Sequence, residues 1–201
     1  RDAIDLDNSL KKNIYNLADC KNKDITELTA CLLDRPRHKK IIEELNELKV
    51  NLKLISDGDI SGALLVSNEK YGVDIFMGIG GGPEGVLAAS ALDAYNCNFQ
   101  GRFIFKEEND ISRAKKMGIK ELDRKYELSE IISGDSIFCA TGITSGDLVN
   151  GIEIIEDKYS SETLVTHKKS NTKKVIKRTE NLTSWFQSPI KYGVKDKLKK
   201  G

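Results

Sequence analysis

At 201 residues, 39% of them hydrophobic and 31% charged, the chain has enough apolar material for one sizeable α/β domain or two small ones, with a well-solvated surface. A formal net charge of +1 gives no global attraction to nucleic acid or an acidic membrane, so neither is expected as a partner. No apolar run approaches the length of a membrane span and no signal peptide opens the chain, so the cytoplasm is the expected location.

Cys20, Cys31, Cys97 and Cys139 are scattered without metal-ligand spacing, and reduced thiols are expected. The chain starts at Arg1 rather than at a methionine, as a processed or truncated protein does. Part of an active site is therefore expected upstream.

Strands and helices alternate along most of the sequence. Residues 27–34 read as a strand ending in an acid. Residues 35–49 place Ile41, Ile42, Leu45 and Leu48 on one helical stripe, with Pro36 in the first turn, where proline is tolerated. Residues 50–56 alternate as a strand, and 57–67 turn sharply into a short helix. An apolar strand over 72–80 precedes a helix from Pro83 to Tyr95. Residues 98–105 read as a strand, 107–122 as a solvated amphipathic helix, and 135–143 as a strand running into a Thr/Gly loop.

Beyond residue 150 the segments are short and β-branched, which predicts an antiparallel set, and residues 181–201 form a lysine-rich tail. The alternation before that point predicts a mostly parallel sheet covered on both faces.

In such sheets ligands collect beyond the carboxyl ends of the strands. The unusual residues of this chain fall there: Arg35-Pro36-Arg37, Asp57-Gly58-Asp59, the glycines from Gly80 to Gly85, and Thr141-Gly142-Ile143-Thr144. These four loops are expected to converge on one rim.

Gly80, Gly82 and Gly85 match a dinucleotide fingerprint, but the next strand lacks the acid that would hold a ribose. Glu84 would also put a carboxylate where a pyrophosphate should sit. A hard-metal ligand is the better chemical role for Glu84, against the alternative that it only complements the helix dipole. An arginine pair suits phosphate through forked, charge-assisted hydrogen bonds; the alternative is two solvated arginines at a helix start. Asp57 and Asp59 suit a metal or sugar hydroxyls, or simply a turn and helix cap. His38 reads as a surface residue and His167 as structural. Thr141, Thr144 and Ser145 suit either phosphate or the turn itself.

The stretch "MGIGGGPEGVLAASAL", with "AIDLD", "LLDRPRH", "LISDGDISGAL", "FCATGITSGDL" and "LVTHKKSNTKKVIKR" in order, resembles the class II, GlpX-type fructose-1,6-bisphosphatases. The resemblance covers roughly residues 1–180, taken as the C-terminal domain of such an enzyme. It implies a layered αβα sugar-phosphatase-like domain (fructose-1,6-bisphosphatase/inositol-monophosphatase-like) with a mostly parallel sheet and a β-rich C-terminal part.

The resemblance further implies metal-dependent removal of the 1-phosphate of fructose 1,6-bisphosphate in gluconeogenesis, with sedoheptulose 1,7-bisphosphate accepted by some members. By motif, Glu84 is the metal ligand for Mn²⁺ or Mg²⁺. Arg35, Pro36, Arg37, Asp57, Gly58, Asp59 and Gly81 contact the substrate. The implied partners are the sugar bisphosphate, the enzyme's own N-terminal domain and further copies of the chain. That N-terminal domain supplies most metal ligands and the groups that activate water, so no catalytic residue is assigned here. Ser145 replaces an acid in the usual Thr-Asp-Gly-Asp-Leu block. The alternative is a non-catalytic sugar-phosphate-binding module; a nucleotide-dependent oxidoreductase is disfavoured by Glu84 and the missing ribose acid.

Overall fold

The computed structural model describes residues 3–182. Its first helix, α1 (Leu10–Lys21), starts at Ser9, whose hydroxyl accepts from the Lys12 N–H at 3.2 Å and satisfies one donor that a helix start leaves open. Ile14, Leu17 and Ala18 form its buried stripe. The sequence reading assigned no element to these residues, because lysine and asparagine interrupt the apolar pattern.

Next come β1 (Thr29–Leu33), a 3₁₀ turn (Pro36–His38), α2 (Lys39–Glu47), β2 (Asn51–Ile55), α3 (Asp59–Leu64), β3 (Ile75–Phe76) and α4 (Gly82–Asp93). β1 is the middle strand of a parallel sheet ordered β2-β1-β3. It pairs with β2 from Thr29↔Asn51 to Leu33↔Ile55, and with β3 at Ala30↔Ile75 and Cys31↔Phe76. Ala30, Cys31, Leu32 and Leu33 are all buried, as expected of a parallel strand covered on both faces.

Ala30 and Leu32 join Ile14 and Leu17 of α1, Leu45 of α2 and Val50 in the main core. Each large aliphatic side chain there contributes roughly 1.5–3 kcal/mol. α3 packs against β1 and α4. The expected α/β class, with a parallel sheet and a β-rich later part, is what the fold displays.

The strand expected over 98–105 shortens to β4 (Gln100–Arg102). After α5 (Glu108–Lys116) it pairs antiparallel with β5 (Lys125–Glu127), which leads into α6 (Leu128–Ile131). Arg102 and Lys125 are register partners, and together they gather the N-terminal acids. Lys125 Nζ donates to Asp5 at 2.6 Å and to Asp7 at 3.0 Å, and Arg102 also binds Asp7. Lys125 holds the Asp5 carboxyl, and Arg102 with Lys125 holds that of Asp7, below the usual carboxylate range.

The chain then adds β6 (Ile137–Thr141), β7 (Glu153–Ile155), β8 (Lys158–His167) and β9 (Thr172–Asn181). They form a four-stranded sheet ordered β6-β8-β7, with β9 on β8; β7 and β8 run antiparallel. The short β-branched segments read from the sequence are thus largely one long hairpin.

The described residues divide into two compact units: residues 3–139 with 165–174, and residues 140–164 with 175–182. In the first unit the hairpin end lies on α4, where buried Thr166 donates to the Ala91 carbonyl at 3.5 Å and Lys168 pairs with Asp93 at 2.6 Å. None of the four cysteines forms a disulfide among the described residues. Among the described residues no helix is long and apolar enough to cross a membrane. Beyond Leu182, the lysine-rich tail lies outside the described residues.

Asp74 ties α1 to the amino-terminal end of the sheet. One carboxylate oxygen takes Lys21 at 2.8 Å and Lys23 at 2.9 Å, and the other accepts the Thr29 N–H at 2.9 Å. Burial pushes this carboxyl up, but the two lysines and the backbone donor outweigh it and hold it below its ordinary value. A depressed folded value confers stability that is present above the unfolded carboxylate range, about pH 4, and lost as pH falls through the folded value. Asp74→Asn is expected to lower unfolding free energy at neutral pH by about 1 kcal/mol and to weaken the acid-side loss of stability below about pH 4. Urea unfolding followed across pH checks both.

Candidate functional site

Three loops leave the carboxyl ends of β1, β2 and β3, and the structure brings their polar residues together within the first unit. Arg35 Nη2 lies 3.9 Å from Asp57 Oδ1. Arg37, from the same turn, donates through Nε to the Ile79 carbonyl. The Asp59 carboxylate lies against Gly80, where a Cβ would stand 2.9 Å from Oδ2, and the Glu84 carboxylate folds back over Gly81, where a Cβ would run into it. Gly81, the N-cap of α4, has φ −74°. At this glycine and at Gly80, close approach of a carboxylate excludes a side chain, rather than left-handed backbone. Gly58 is different: its φ of 90° is left-handed, and it is the N-cap of α3.

The aspartates do not cap α3. Asp57 accepts the N–H of Gly58 at 2.9 Å, a local turn bond, and its side chain is 93% exposed. Asp59 sits in the first turn of α3, where a negative charge is favoured by the helix dipole. Pro36 occupies the first turn of the 3₁₀ segment, where its missing N–H leaves no bond unmade.

His38 corrects the sequence reading. It was expected at the surface, yet it is fully buried. Nδ1 lies 2.8 Å from the Leu33 carbonyl, and Nε2 accepts the Ile79 N–H at 2.8 Å. Burial is tolerated because both ring nitrogens find partners. The relevant partner stands 41 residues away, so no local pattern announced it.

Glu84 is exposed in the first turn of α4 and has no hydrogen-bond or ion-pair partner among the described residues. An unpaired carboxylate beside bare glycine backbone has the donor chemistry a hard divalent ion takes. Such ions take about six or more oxygens, and no group of three or more His, Cys, Asp or Glu suited to a metal occurs among the described residues. Glu84 thus fits as one ligand, with the remaining oxygens coming from outside this set.

The fourth loop expected on the rim is held otherwise. β6 lies outside the parallel sheet, and Thr141 to Ser145 belong to the second unit. There the Thr141 and Thr163 hydroxyls meet at 2.8 Å, and Ser145 Oγ accepts the Gly151 N–H at 2.9 Å. Both hydroxyls hold the loop itself.

His167 contacts Asp135 at 2.8 Å through Nε2 and Ser170 at 2.7 Å through Nδ1, and Ser170 meets Thr172 at 2.7 Å. Asp135 is 32 residues from the histidine, so only the fold brings the two together. The set fastens the turn of the β8–β9 hairpin.

Residues 1–180 match the family model described as bacterial fructose-1,6-bisphosphatase, glpX-encoded. The chain belongs to this family. Among its relatives, proteins named D-fructose 1,6-bisphosphatase class 2/sedoheptulose 1,7-bisphosphatase are 34% identical in Synechocystis sp. and 35% identical in Synechococcus sp. (strain JA-3-3Ab). Each alignment covers 86% of this chain and 54% of the relative. One from Trichodesmium erythraeum is 32% identical over 88% of the chain and 55% of its own length. The chain therefore spans about half the length of the curated relatives it matches. Arg35, Arg37, Asp57, Asp59, Gly81 and Glu84 lie in the first unit and the Thr141 loop in the second.

Asp59 reaches Gly80 because α3 sits unusually close to the sheet. A Cβ on Gly62 would stand 2.6 Å from Ile55 Cδ1 and 2.8 Å from the Phe76 ring. Gly62→Ala gains helix propensity but forces α3 off those two side chains. A net loss of about 1–2 kcal/mol is expected. It would be read as an earlier midpoint in chemical denaturation with an unchanged slope.

Proposed function

We propose that this chain carries the substrate-binding part of a class 2 fructose-1,6-bisphosphatase, which hydrolyses the 1-phosphate of fructose 1,6-bisphosphate to fructose 6-phosphate and inorganic phosphate. Sedoheptulose 1,7-bisphosphate is a second substrate in this reading, and gluconeogenesis in the cytoplasm is its setting. The observation that carries it is the convergence of Arg35, Arg37, Asp57, Asp59, Gly81 and Glu84 on one rim, in a chain of this family.

Arg37 is fixed at Nε by the Ile79 carbonyl, so its two terminal nitrogens point a forked pair of donors at a phosphate. Arg35 adds a second cation. Together they clamp the phosphate that does not react. Asp57 and Asp59 accept hydrogen bonds from sugar hydroxyls, and the bare backbone at Gly81 lets the sugar phosphate approach. Glu84 holds one divalent ion, Mn²⁺ or Mg²⁺, with the other ligands supplied by the N-terminal portion of the family's longer chains. A divalent ion held there would supply Lewis-acid polarisation of the phosphoryl group and an activated water. The water oxygen bonds to phosphorus as the bond from phosphorus to the C1 oxygen breaks. The C1 oxygen then takes up a proton and phosphate departs.

A non-catalytic sugar-phosphate-binding module is favoured by one observation: the described residues contain no clustered metal-ligand set. Calorimetry with fructose 1,6-bisphosphate separates the two readings, since a binding module holds it without metal and releases no phosphate.

The deciding assay is phosphate release with Mn²⁺, Mg²⁺ or EDTA, from this chain alone and from the chain joined to its N-terminal portion. Release is expected only with that portion and a divalent ion. In that active form Glu84→Gln is expected to reduce turnover by more than about 100-fold, beyond the usual loss for an outer partner of a metal ligand. Arg35→Ala should raise KM about tenfold or more through the lost charge-assisted bond. Unchanged metal dependence in the first variant, or an unmoved KM in the second, overturns that residue's role.

A further inference from the structure

The loop that carries Gly80 and Gly81 has little sheet to hold it. β3 is only Ile75 and Phe76, and its last ladder-like bond to β1 runs from the Met77 N–H to the Cys31 carbonyl at 3.1 Å. The chain then has to leave the sheet so that Gly81 can start α4. Ile79 lies beyond that last bond, with a backbone N–H and carbonyl that no neighbouring strand pairs.

His38 takes the place of the absent strand. Its ring is fully buried, with Gly78 beside it: a Cβ on Gly78 would stand 3.7 Å from the ring. Nδ1 faces the Leu33 carbonyl at 2.8 Å, and a carbonyl only accepts, so Nδ1 carries the proton. Nε2 faces the Ile79 N–H at 2.8 Å, and an N–H only donates, so Nε2 carries none. Nε2 also lies 3.2 Å from the Ile79 carbonyl, but the shorter contact is the one with the Ile79 N–H, and with the Leu33 bond it selects the neutral, Nδ1-protonated imidazole.

The adjacent residue, Arg37, closes the other side by donating to the Ile79 carbonyl. The His38 N–H to Arg35 carbonyl bond at 2.9 Å fixes the turn that bears both arginines. One ring thus joins the end of β1, the arginine turn and the glycine loop.

We propose that His38 is a positioning residue of the sugar-phosphate site. As a neutral strut it sets the separation between the phosphate-binding arginines and the Gly80–Gly81 backbone, and it takes no part in proton transfer to substrate. This deepens the functional reading above and rests on it for the ligand. The strut itself stands on geometry alone. A ring with both nitrogens committed to backbone inside the fold has no face left for a substrate proton.

The test uses the full 201-residue chain, labelled with ¹⁵N. An N–H···N hydrogen bond transmits a scalar coupling, so the Ile79 amide nitrogen is expected to couple to His38 Nε2. The ring nitrogen shifts are expected to report the Nδ1-protonated tautomer. Titration with fructose 1,6-bisphosphate then follows the Ile79, Gly80 and Gly81 amides in the native chain, in His38→Gln and in His38→Asn. Glutamine reaches the Nε2 position and accepts from Ile79, whereas asparagine reaches only the Nδ1 position. His38→Asn is therefore expected to weaken binding about tenfold, the effect of one lost buried bond, and His38→Gln to recover most of it. The methyl signals of Ile14 and Leu32 should stay in place in both variants, marking an intact core.

Absence of the coupling, or the opposite tautomer, overturns the strut. Equal weakening in the two variants with the core intact overturns the positioning role. A coupling that is present while the native chain binds no sugar bisphosphate, with or without Mn²⁺, overturns the functional reading and the ligand assigned to the strut, but leaves the strut itself supported.

Discussion

Burial of β1 on both faces is the constraint from which the rest of the architecture follows. A five-residue strand running from Thr29 to Leu33, with four consecutive buried side chains, has no solvent face. It therefore needs helices on both sides and a paired strand on each edge. α1 and α2 cover Ala30 and Leu32, α3 packs on the strand, and β2 and β3 fill its edges in parallel. Parallel pairing sends all three chains out at the same end. Positive charge after β1, negative charge after β2 and bare glycine after β3 therefore meet without any of them being adjacent in sequence.

The rim this creates is electrostatically mixed, and the mixture is spatially sorted. Arg35 faces Asp57 across a long 3.9 Å gap, while Arg37 is turned toward backbone. Surface pairs of the first kind contribute little to stability, so losing the Asp57 contact would cost Arg35 little. Glu84 stands on the glycine side without a cation partner among the described residues. A sugar phosphate with a divalent ion would answer both needs: its anionic end on the arginines, the ion on the carboxylate, its hydroxyls on the aspartates between them.

Periodicity made α2 and β2 legible, because Ile41, Ile42, Leu45 and Leu48 repeat at helical spacing and residues 50–56 alternate. It overextended β3. The apolar run from 72 to 80 reads as strand, but from Gly78 onward the chain must turn outward into α4, and only Ile75 and Phe76 keep sheet pairing. It missed α1, where three lysines and two asparagines dilute an apolar stripe of three buried residues. The rim residues themselves were legible because arginine, aspartate and glycine fall at strand ends, and a family resemblance supplied their roles. His38 was not. Its burial depends on two backbone groups, one five residues before it and the other in a loop 41 residues later, and a histidine flanked by Arg37 and Lys39 looks solvated until both partners are in place.

The first compact unit is discontinuous along the chain. It closes only when residues 165–174 return to it, bringing Thr166 onto Ala91 and Lys168 onto Asp93. On a ribosome, residues 1–139 are made before residues 165–174. Until the hairpin end has docked, Asp93 lacks Lys168 and the Ala91 carbonyl lacks the Thr166 hydroxyl. The same arrangement means that cutting the gene after residue 139 would not yield the first unit. It would yield that unit without its closing piece.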